Sequence, residues 1–253
     1  MNPSPYRAPF KSAHLRATIV KILLIVGAAA AGLSLLADAL SLAFPPLAED
    51  QELADNPLGA ILVFIILLLS FLELIIYVTT VVFFSIWLYR AADNVRAFDT
   101  WRRLKHSPGW AVGSFFVPFL NLVVPYRAVK EVWQESGPPG EQYLSATNPP
   151  AFFPVWWLFW LLASFAGNAS FRASFNENIP ESTATIISAV AGGLAIVAAM
   201  FAYLVVDSID KKQEETAATL RLGQPPGPPG PPADLLMRDA VEPAFSPATS
   251  QQS

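Results

Sequence analysis

The sequence lacks cysteine altogether and has only two histidines among its 253 residues. Without cysteine the chain has no disulfide, no zinc-thiolate site, no iron-sulfur cluster and no thiol nucleophile. His14 and His106 are far apart in the chain and have no second ligand at metal spacing, so we expect no metal site. A serine-histidine-aspartate grouping, a phosphate-binding loop and paired catalytic carboxylates are also missing from the sequence. The sequence therefore predicts no enzymatic activity and no cofactor.

Charged residues are scarce as well, at 14% of the chain against 53% hydrophobic residues. A soluble domain of this length needs less apolar side chain than this to fill one core, so part of it must face lipid. The formal net charge of -4 sums a basic N-terminus and a basic internal loop with an acidic first loop and an acidic tail. The net charge therefore predicts no partner. The apolar excess predicts contact with the lipid bilayer, and we expect no nucleic-acid partner.

Several apolar stretches are long enough to cross a bilayer, whose hydrocarbon core of ~30 Å requires ~20 helical residues. We predict four membrane-spanning helices at about residues 17–44, 58–89, 151–171 and 182–206. They belong to a helical membrane domain, 17–215, which lies between a flexible lead, 1–16, and a disordered proline-rich tail, 216–253. The predicted fold class is an all-α integral membrane protein.

The first apolar stretch has a second interpretation as a cleaved signal peptide. Arg16 and Lys21 precede the apolar run, and Ala37-Asp38-Ala39 resembles a cleavage site. The run is longer than the ~7 to 15 apolar residues of a typical signal peptide, however, and the lead before it is long. We therefore favour a retained first span.

The segment between the second and third spans does not fit a simple span. Residues 91–106 have apolar side chains at spacings of three and four, which predicts an amphipathic helix on the membrane surface. Residues 107–136 are apolar but interrupted by Pro118 and Pro125, and a helix over the fifteen residues 110–124 would reach only about 22 Å. This length favours a re-entrant or interfacial helical hairpin over a fifth span.

The basic residues favour the same interpretation. Lys and Arg near membrane-spanning segments collect on the cytoplasmic side. With a hairpin, every Lys and Arg except Arg172 lies on that side. With a fifth span, Arg127, Lys130 and the basic residues that follow the last span would all lie outside. We therefore predict four spans plus a hairpin, with both termini in the cytoplasm.

Tryptophan, proline and asparagine recur at fixed offsets through the end of the second span, the hairpin and the third span. The pattern comprises Trp87, Arg90, Asn94, Pro108, Gly109, Trp110, Pro118, Asn121, Pro125, Tyr126, Trp133, Trp156, Trp157 and Trp160. It resembles the bacterial membrane family known as domain of unknown function 4328, over roughly residues 17–215. The resemblance implies a multi-pass protein of the bacterial inner membrane, without an established activity.

Two polar side chains in apolar surroundings are candidate intramembrane sites: Glu73 in the middle of the second span and Asn121 between the two hairpin prolines. A carboxylate inside a membrane costs at least a few kcal/mol unless it is protonated, paired or facing water. Glu73 is either a proton or cation site or a protonated group bonded to another helix, for instance to Asn168 or to Thr79 or Thr80 of a second copy. Asn121 is expected to bond backbone groups that the prolines leave free.

Basic residues after the second span are candidates for contacts with anionic lipid headgroups, at ~1 kcal/mol per charge. They are Arg90, Arg96, Arg102, Arg103 and Lys105. The function that we favour is a non-enzymatic membrane scaffold or accessory protein, whose hairpin and tails contact lipid or a partner. The alternative is a small oligomeric transporter or channel that uses Glu73 and the hairpin as its polar pathway. A second copy or another membrane protein is an expected partner.

Overall fold

A computed structural model describes residues 9–43, 57–98, 104–138 and 148–222, which belong to one unit ending at Leu222. Within these ranges the chain is helical and contains no strand, which confirms the all-α fold class. The α-helices are α1 (His14–Ala43), α2 (Pro57–Phe98), α3 (Pro108–Gly113), α4 (Val124–Gln134), α5 (Phe152–Ala173) and α6 (Glu181–Thr219).

The helices α1, α2, α5 and α6 are long and apolar enough to cross a membrane, in α2 over Leu68–Phe98. Their outer faces carry large exposed apolar side chains that no other described segment covers, among them Leu33, Leu72, Phe165 and Val190. Because such a surface is unfavourable in water, these faces are the lipid-facing surface. The prediction of four spans is confirmed.

The four long helices pack in the order α5, α6, α1, α2, so that α6 contacts both α5 and α1, and α1 contacts α2. Gly192 of α6 faces the backbone of α1, where an added Cβ would lie 3.9 Å from the carbonyl oxygen of Ala31. This is an ordinary van der Waals distance, so α6 packs against α1 at Gly192 with room for a side chain no larger than alanine's methyl group.

The second span does not end at Tyr89, because α2 continues without a break to Phe98. Ala91, Val95 and Phe98 on this extension are fully buried, and the ring of Phe98 packs on that of Phe10 with 5.7 Å between centroids. The surface helix predicted over 91–106 is therefore corrected: its apolar face is covered by protein instead of lipid. Residues 104–106 are not helical, and 99–103 lie outside the described residues.

The chain segments at both ends of the predicted membrane domain also differ from expectation. The helix α6 continues past residue 206 to Thr219, so that the first residues of the predicted disordered tail are helical. Residues 223–253 lie outside the described residues, as do residues 1–8. The rest of the predicted lead packs on the bundle through Phe10 and Lys11.

The hairpin over 107–136 is built from α3, two short 3-10 turns and α4. Ser107 caps α3, because its hydroxyl oxygen accepts a hydrogen bond from the backbone N–H of Trp110 at 3.2 Å. The 3-10 turns are Ser114–Phe116 and Leu120–Leu122. Pro125 lies in the first turn of α4, where its missing N–H breaks no helical hydrogen bond.

The hairpin enters the bundle and returns on the same side. Gly109 lies beside Arg90 of α2, whereas Phe116 lies beside Tyr77 and Val78, a point much further along the same helix. The chain then turns back through α4, and Trp133 near the end of α4 donates a hydrogen bond to Ser208 of α6. The segment is therefore a re-entrant hairpin and not a fifth span.

Candidate functional site

One end of the bundle carries a buried polar network, and we call it the polar end. Gln213 of α6 is only 2% exposed, and its side-chain nitrogen donates to the carbonyl oxygen of Ala91 at 2.8 Å and to the hydroxyl of Ser136 at 3.0 Å. Its side-chain oxygen accepts from Asn94 at 3.3 Å. Thr216 adds a hydrogen bond to the carbonyl oxygen of Ser136 at 2.8 Å. These contacts join α2, α6 and the chain that follows α4.

Asn94 connects the network to the segment before α1. Its side-chain nitrogen donates to the carbonyl oxygen of Lys11 at 3.0 Å, and its side-chain oxygen accepts from the backbone N–H of Lys11 at 3.3 Å. The side chain of Asn94 thus both donates to and accepts from the backbone of Lys11, as a neighbouring backbone segment would. Asn94 belongs to the tryptophan, proline and asparagine pattern found in the sequence. The structure shows that it holds the segment before α1 in place.

An ionic cluster clamps the start of α1 to α6 at the same end. The carboxylate of Asp210, only 2% exposed, lies 2.8 Å from Nδ1 of His14 and 3.7 Å from Nζ of Lys21. Lys21 also binds Asp207 at 2.9 Å, and Lys211 binds Asp207 at 2.7 Å. A buried carboxylate is unfavourable without such partners, so the cluster fixes the register between the two helices.

Sequence reasoning missed this network, because the predicted last span ends at residue 206 and the residues after it are mostly charged or polar. The signal that could have revealed it is a helical stripe with spacings of three and four, formed by Val206, Ile209, Gln213 and Thr216, all of which are buried. Polar members at two of these positions conceal the stripe from a purely hydrophobic criterion.

Aromatic residues hold the hairpin against α2 and α5. The ring of Phe115 packs edge-on against Trp160 at 5.9 Å and against Phe84 of α2 at 5.8 Å between centroids. Tyr126 stacks on Trp157 at 6.4 Å. The indole N–H of Trp157 also donates to the carbonyl oxygen of Leu122 at 3.0 Å, which satisfies an acceptor in the hairpin turn.

Trp133 fixes the returning arm of the hairpin to α6. Its indole N–H donates to Ser208 at 2.9 Å, and the ammonium of Lys212 lies 4.1 Å from the centre of a Trp133 ring. Such a cation-π contact adds to the hydrogen bond. The other residues of the pattern divide between buried positions (Trp87, Pro108, Pro125 and Trp156) and exposed ones (Gly109, Trp110 and Pro118).

Glu73 has a hydrogen-bond partner on a neighbouring helix of the same chain. The hydroxyl of Ser34 in α1 donates to the carboxyl oxygen Oε1 of Glu73 at 2.6 Å. Ser34 was not among the partners suggested from sequence. Within the chain, Thr80 donates to the carbonyl oxygen of Ile76 in its own helix. Glu73 lies 17 residues before Arg90, or about 25 Å along the helix. In a ~30 Å core this places it in the half away from the polar end.

Asn121 does not take the role expected of it. It lies half-buried in the second 3-10 turn, where its backbone N–H donates to the carbonyl oxygen of Val117 at 3.0 Å. The side-chain amide forms no hydrogen bond with any residue in the described ranges. Trp157, a residue from another helix, supplies the donor for the hairpin backbone.

The candidate headgroup residues are not equivalent. Arg90 is half-buried and forms an ion pair with Asp93 at 3.4 Å, whereas Arg96 and Lys105 are exposed. Arg102 and Arg103 lie outside the described residues. Nearby, Nδ1 of His106 lies 2.7 Å from a carboxyl oxygen of Glu131 in α4. This contact joins the segment that enters the hairpin to its returning arm. In the described part of the chain, no group of histidine, aspartate and glutamate is arranged to hold a metal ion.

No curated protein and no solved structure matches this chain. The sequence does match the family described as Domain of unknown function (DUF4328), over residues 60–211. This range is more than half of the 253 residues and includes α2 from Ala60 on, the hairpin, α5 and most of α6. The residues that hold the hairpin lie within the matched range, whereas Gln213, Thr216 and the start of α1 at the polar end lie outside it. The chain belongs to the DUF4328 family, as its tryptophan, proline and asparagine pattern predicted.

Proposed function

We propose that this protein is a non-enzymatic membrane scaffold or accessory protein, and that its polar end is the surface that contacts a partner. The observation that carries the proposal is the buried network around Gln213. It ties the segment before α1, the end of α2, the hairpin and α6 into one fixed unit. A membrane anchor alone would need no such construction.

The surface around this network carries charged side chains that are held in fixed positions. Lys11, Arg96, Lys105, Lys211 and Glu215 are all exposed there. Each belongs to a helix or to a segment bound to one, so their relative positions are fixed. Charges held in a fixed arrangement favour recognition of one partner over others, because like charges in the wrong register are repelled.

The proposal includes the side of the membrane. Lys11, Arg16, Lys21, Arg90 and Arg96 lie at the polar end. Among the described residues near the opposite end, only Arg172 is basic. The positive-inside rule then places the polar end in the cytoplasm of a bacterial inner membrane. The segment before α1 and the end of α6 both lie at that end, so the proposal includes a cytoplasmic location for both termini.

Site-specific photo-crosslinking in native membranes tests this proposal. A photoreactive residue replaces Arg96 or Lys211 at the polar end, and Phe171 at the exposed opposite end serves as the matched control. We expect both polar-end positions to give the same discrete adduct, with a second copy or with one other membrane protein. Combining either position with Gln213→Ala should reduce the yield. Adducts that are equally abundant from Phe171, or none from the polar end, would contradict the proposal.

A small transporter or channel is the second candidate, and the Glu73–Ser34 pair inside the membrane is the observation that favours it. Proteoliposomes loaded with dyes for H⁺, Na⁺ or K⁺ distinguish the two functions. A scaffold gives the same rates as empty vesicles, both for the unaltered protein and for Glu73→Gln. Ion flux that Glu73→Gln abolishes and Ser34→Ala reduces would establish the transporter instead.

A further inference from the structure

An open groove runs along the outer side of α2, between this helix and the first arm of the hairpin. We call the part next to the polar end the upper part and the remainder the lower part. The upper part, of about 430 Å³, is lined by Arg16, Arg90 and Gly109. The lower part, of about 540 Å³, is lined by Tyr77, Val81 and Phe116. Ser85, Ile86 and Val112 line both parts, so the two form one continuous groove.

The upper end of the groove carries positive charge. Arg16 comes from α1 and Arg90 from α2, so two helices contribute one guanidinium each. The Nη1 nitrogen of Arg90 lies 3.4 Å from the carboxylate of Asp93, and its Nε is buried without a hydrogen-bond partner in the described part of the chain, so the other terminal nitrogen is the one available to a phosphate. Guanidinium groups match phosphate oxygens in both charge and geometry.

The lower part of the groove is apolar. Val78, Val82 and Ile86 are exposed along it, as is Phe116 on the hairpin. The hydroxyl of Ser85 is already used within α2, where it donates to the carbonyl oxygen of Val81 at 2.7 Å. Most of this surface therefore offers contacts to hydrocarbon and not to a polar ligand.

The length of the groove corresponds to one leaflet. From Tyr77 to Arg90 the helix rises about 20 Å at ~1.5 Å per residue, whereas half of the ~30 Å hydrocarbon core is about 15 Å. The arginines therefore lie at headgroup level when the lower part lies near the middle of the bilayer. This is the arrangement of a phosphate and an acyl chain in one lipid molecule.

Two glycines line the groove on the hairpin side. Gly109 and Gly113 both line it, and an added Cβ would meet nothing within 4 Å at Gly109 and only the Trp110 ring, at 4.0 Å, at Gly113. A side chain at either position would thus project without a clash and fill space that is now empty.

We propose that this groove is a binding site for one anionic glycerophospholipid, with its phosphate between Arg16 and Arg90 and an acyl chain along Ile86, Val112 and Phe116. The site is independent of the partner surface proposed above. It holds whether or not the protein is a scaffold, because it depends only on the groove and its two arginines.

Native mass spectrometry of the full-length protein tests the site, with phosphatidylglycerol and phosphatidylcholine of identical acyl chains as probes. The unaltered protein should retain one phosphatidylglycerol in preference to phosphatidylcholine. Arg16→Gln and Arg90→Gln should each weaken phosphatidylglycerol binding about five-fold, the factor expected for one basic residue at a membrane surface. Gly113→Leu should lower the binding of both lipids, because its side chain would fill the upper part of the groove, which the headgroup of either lipid must occupy.

Two control variants separate the groove from general surface properties. Arg96→Gln removes an exposed arginine of the polar end outside the groove, and Gly167→Leu adds a side chain at a lipid-facing glycine where a Cβ also meets nothing within 4 Å. Both should leave lipid retention unchanged. The Gly113→Leu result keeps the test valid even if Arg90→Gln disturbs folding through its contact with Asp93.

Equal retention of the two lipids by the unaltered protein would overturn the proposal. So would an effect of Arg96→Gln as large as that of Arg16→Gln, since this would show unspecific surface attraction. A dimer that Gly113→Leu dissociates without any change in lipid retention would show that a second copy occupies the groove instead. A loss of crosslinks at Arg96 or Lys211 has no bearing on these outcomes.

Discussion

At the scale of single residues, Gln213 shows how a polar side chain can organise the end of a membrane protein. A glutamine amide has both donors and an acceptor. Here the side-chain nitrogen donates to the carbonyl oxygen of Ala91 and to the hydroxyl of Ser136, and the side-chain oxygen accepts from Asn94. A charged residue in the same place would require a counter-ion in a buried site. Glutamine meets three partners without one.

Gln213→Ala should destabilise the protein by about 2 to 4 kcal/mol, because it leaves a buried carbonyl oxygen and a buried hydroxyl without their donor. Thermal unfolding in a mild detergent measures the change. Thr219→Ala is the matched control: Thr219 lies on the same helix, is exposed and bonds only the carbonyl oxygen of Glu215 at 2.9 Å, so its loss should cost less than about 0.5 kcal/mol. Equal effects of the two substitutions would show that the network contributes little.

Sequence reasoning finds residues that contrast with their neighbours. Glu73 stood out because it is a carboxylate within an apolar run, and the structure adds its partner Ser34. Asp210 did not stand out, because it lies in a run of charged residues that looks solvated. Its burial depends on α1 and on His14, almost two hundred positions away in the chain, and no local pattern records that contact.

At the scale of elements, the turn of the hairpin is strained. Leu120 donates its backbone N–H to the carbonyl oxygen of Pro118 at 2.8 Å, two residues back. Phe119 at the centre of this γ-turn has φ 64° and ψ -39°, a conformation that is rare and strained for residues with a side chain. The residue is 86% exposed, so no contact with the described residues explains why phenylalanine occupies this position.

Phe119→Gly should therefore be more stable than Phe119→Ala, by about 1 kcal/mol, since both remove the ring but only glycine relieves the backbone. At Phe116, in a 3-10 turn of the same hairpin and with a negative φ, the order should reverse, because glycine there only adds chain entropy to the unfolded state. Unfolding measurements on the four variants give both differences. The same order at both positions would refute the strain at Phe119.

Which elements exist and of what type they are could be predicted from the sequence more readily than how their ends are packed. The four spans and the hairpin follow from apolar length and from prolines, which act locally. The burial of the ends of α2 and α6 did not, because these ends bury each other: Asn94 and Gln213 lie beyond the apolar stretches and bond each other. Two extensions that are each too polar for lipid are stable together.

At the scale of the whole molecule, the re-entrant hairpin completes the bundle. The long helices pack in the order α5, α6, α1, α2, and the hairpin contacts both outer members, through Phe84 of α2 and Trp157 and Trp160 of α5. Without it, α2 would be joined to the other helices mainly through α1. Non-helical backbone at membrane depth is stable only where protein surrounds it, so hairpin and bundle support each other.

This architecture requires Lys105, before the hairpin, and Lys211, after the last span, to lie on one side of the membrane, with Asn178 on the other. The chain has no cysteine of its own, so Lys105→Cys, Lys211→Cys and Asn178→Cys each provide a single thiol at an exposed position. In intact cells from which the outer membrane barrier has been removed, a membrane-impermeant maleimide should label only Asn178→Cys. After the inner membrane is permeabilised, it should label all three.

Labelling of Lys105→Cys and Lys211→Cys in intact cells, with Asn178→Cys protected, would reverse the orientation but keep the hairpin. Opposite behaviour of Lys105→Cys and Lys211→Cys would refute the hairpin itself, because an additional crossing between these two positions would then be required.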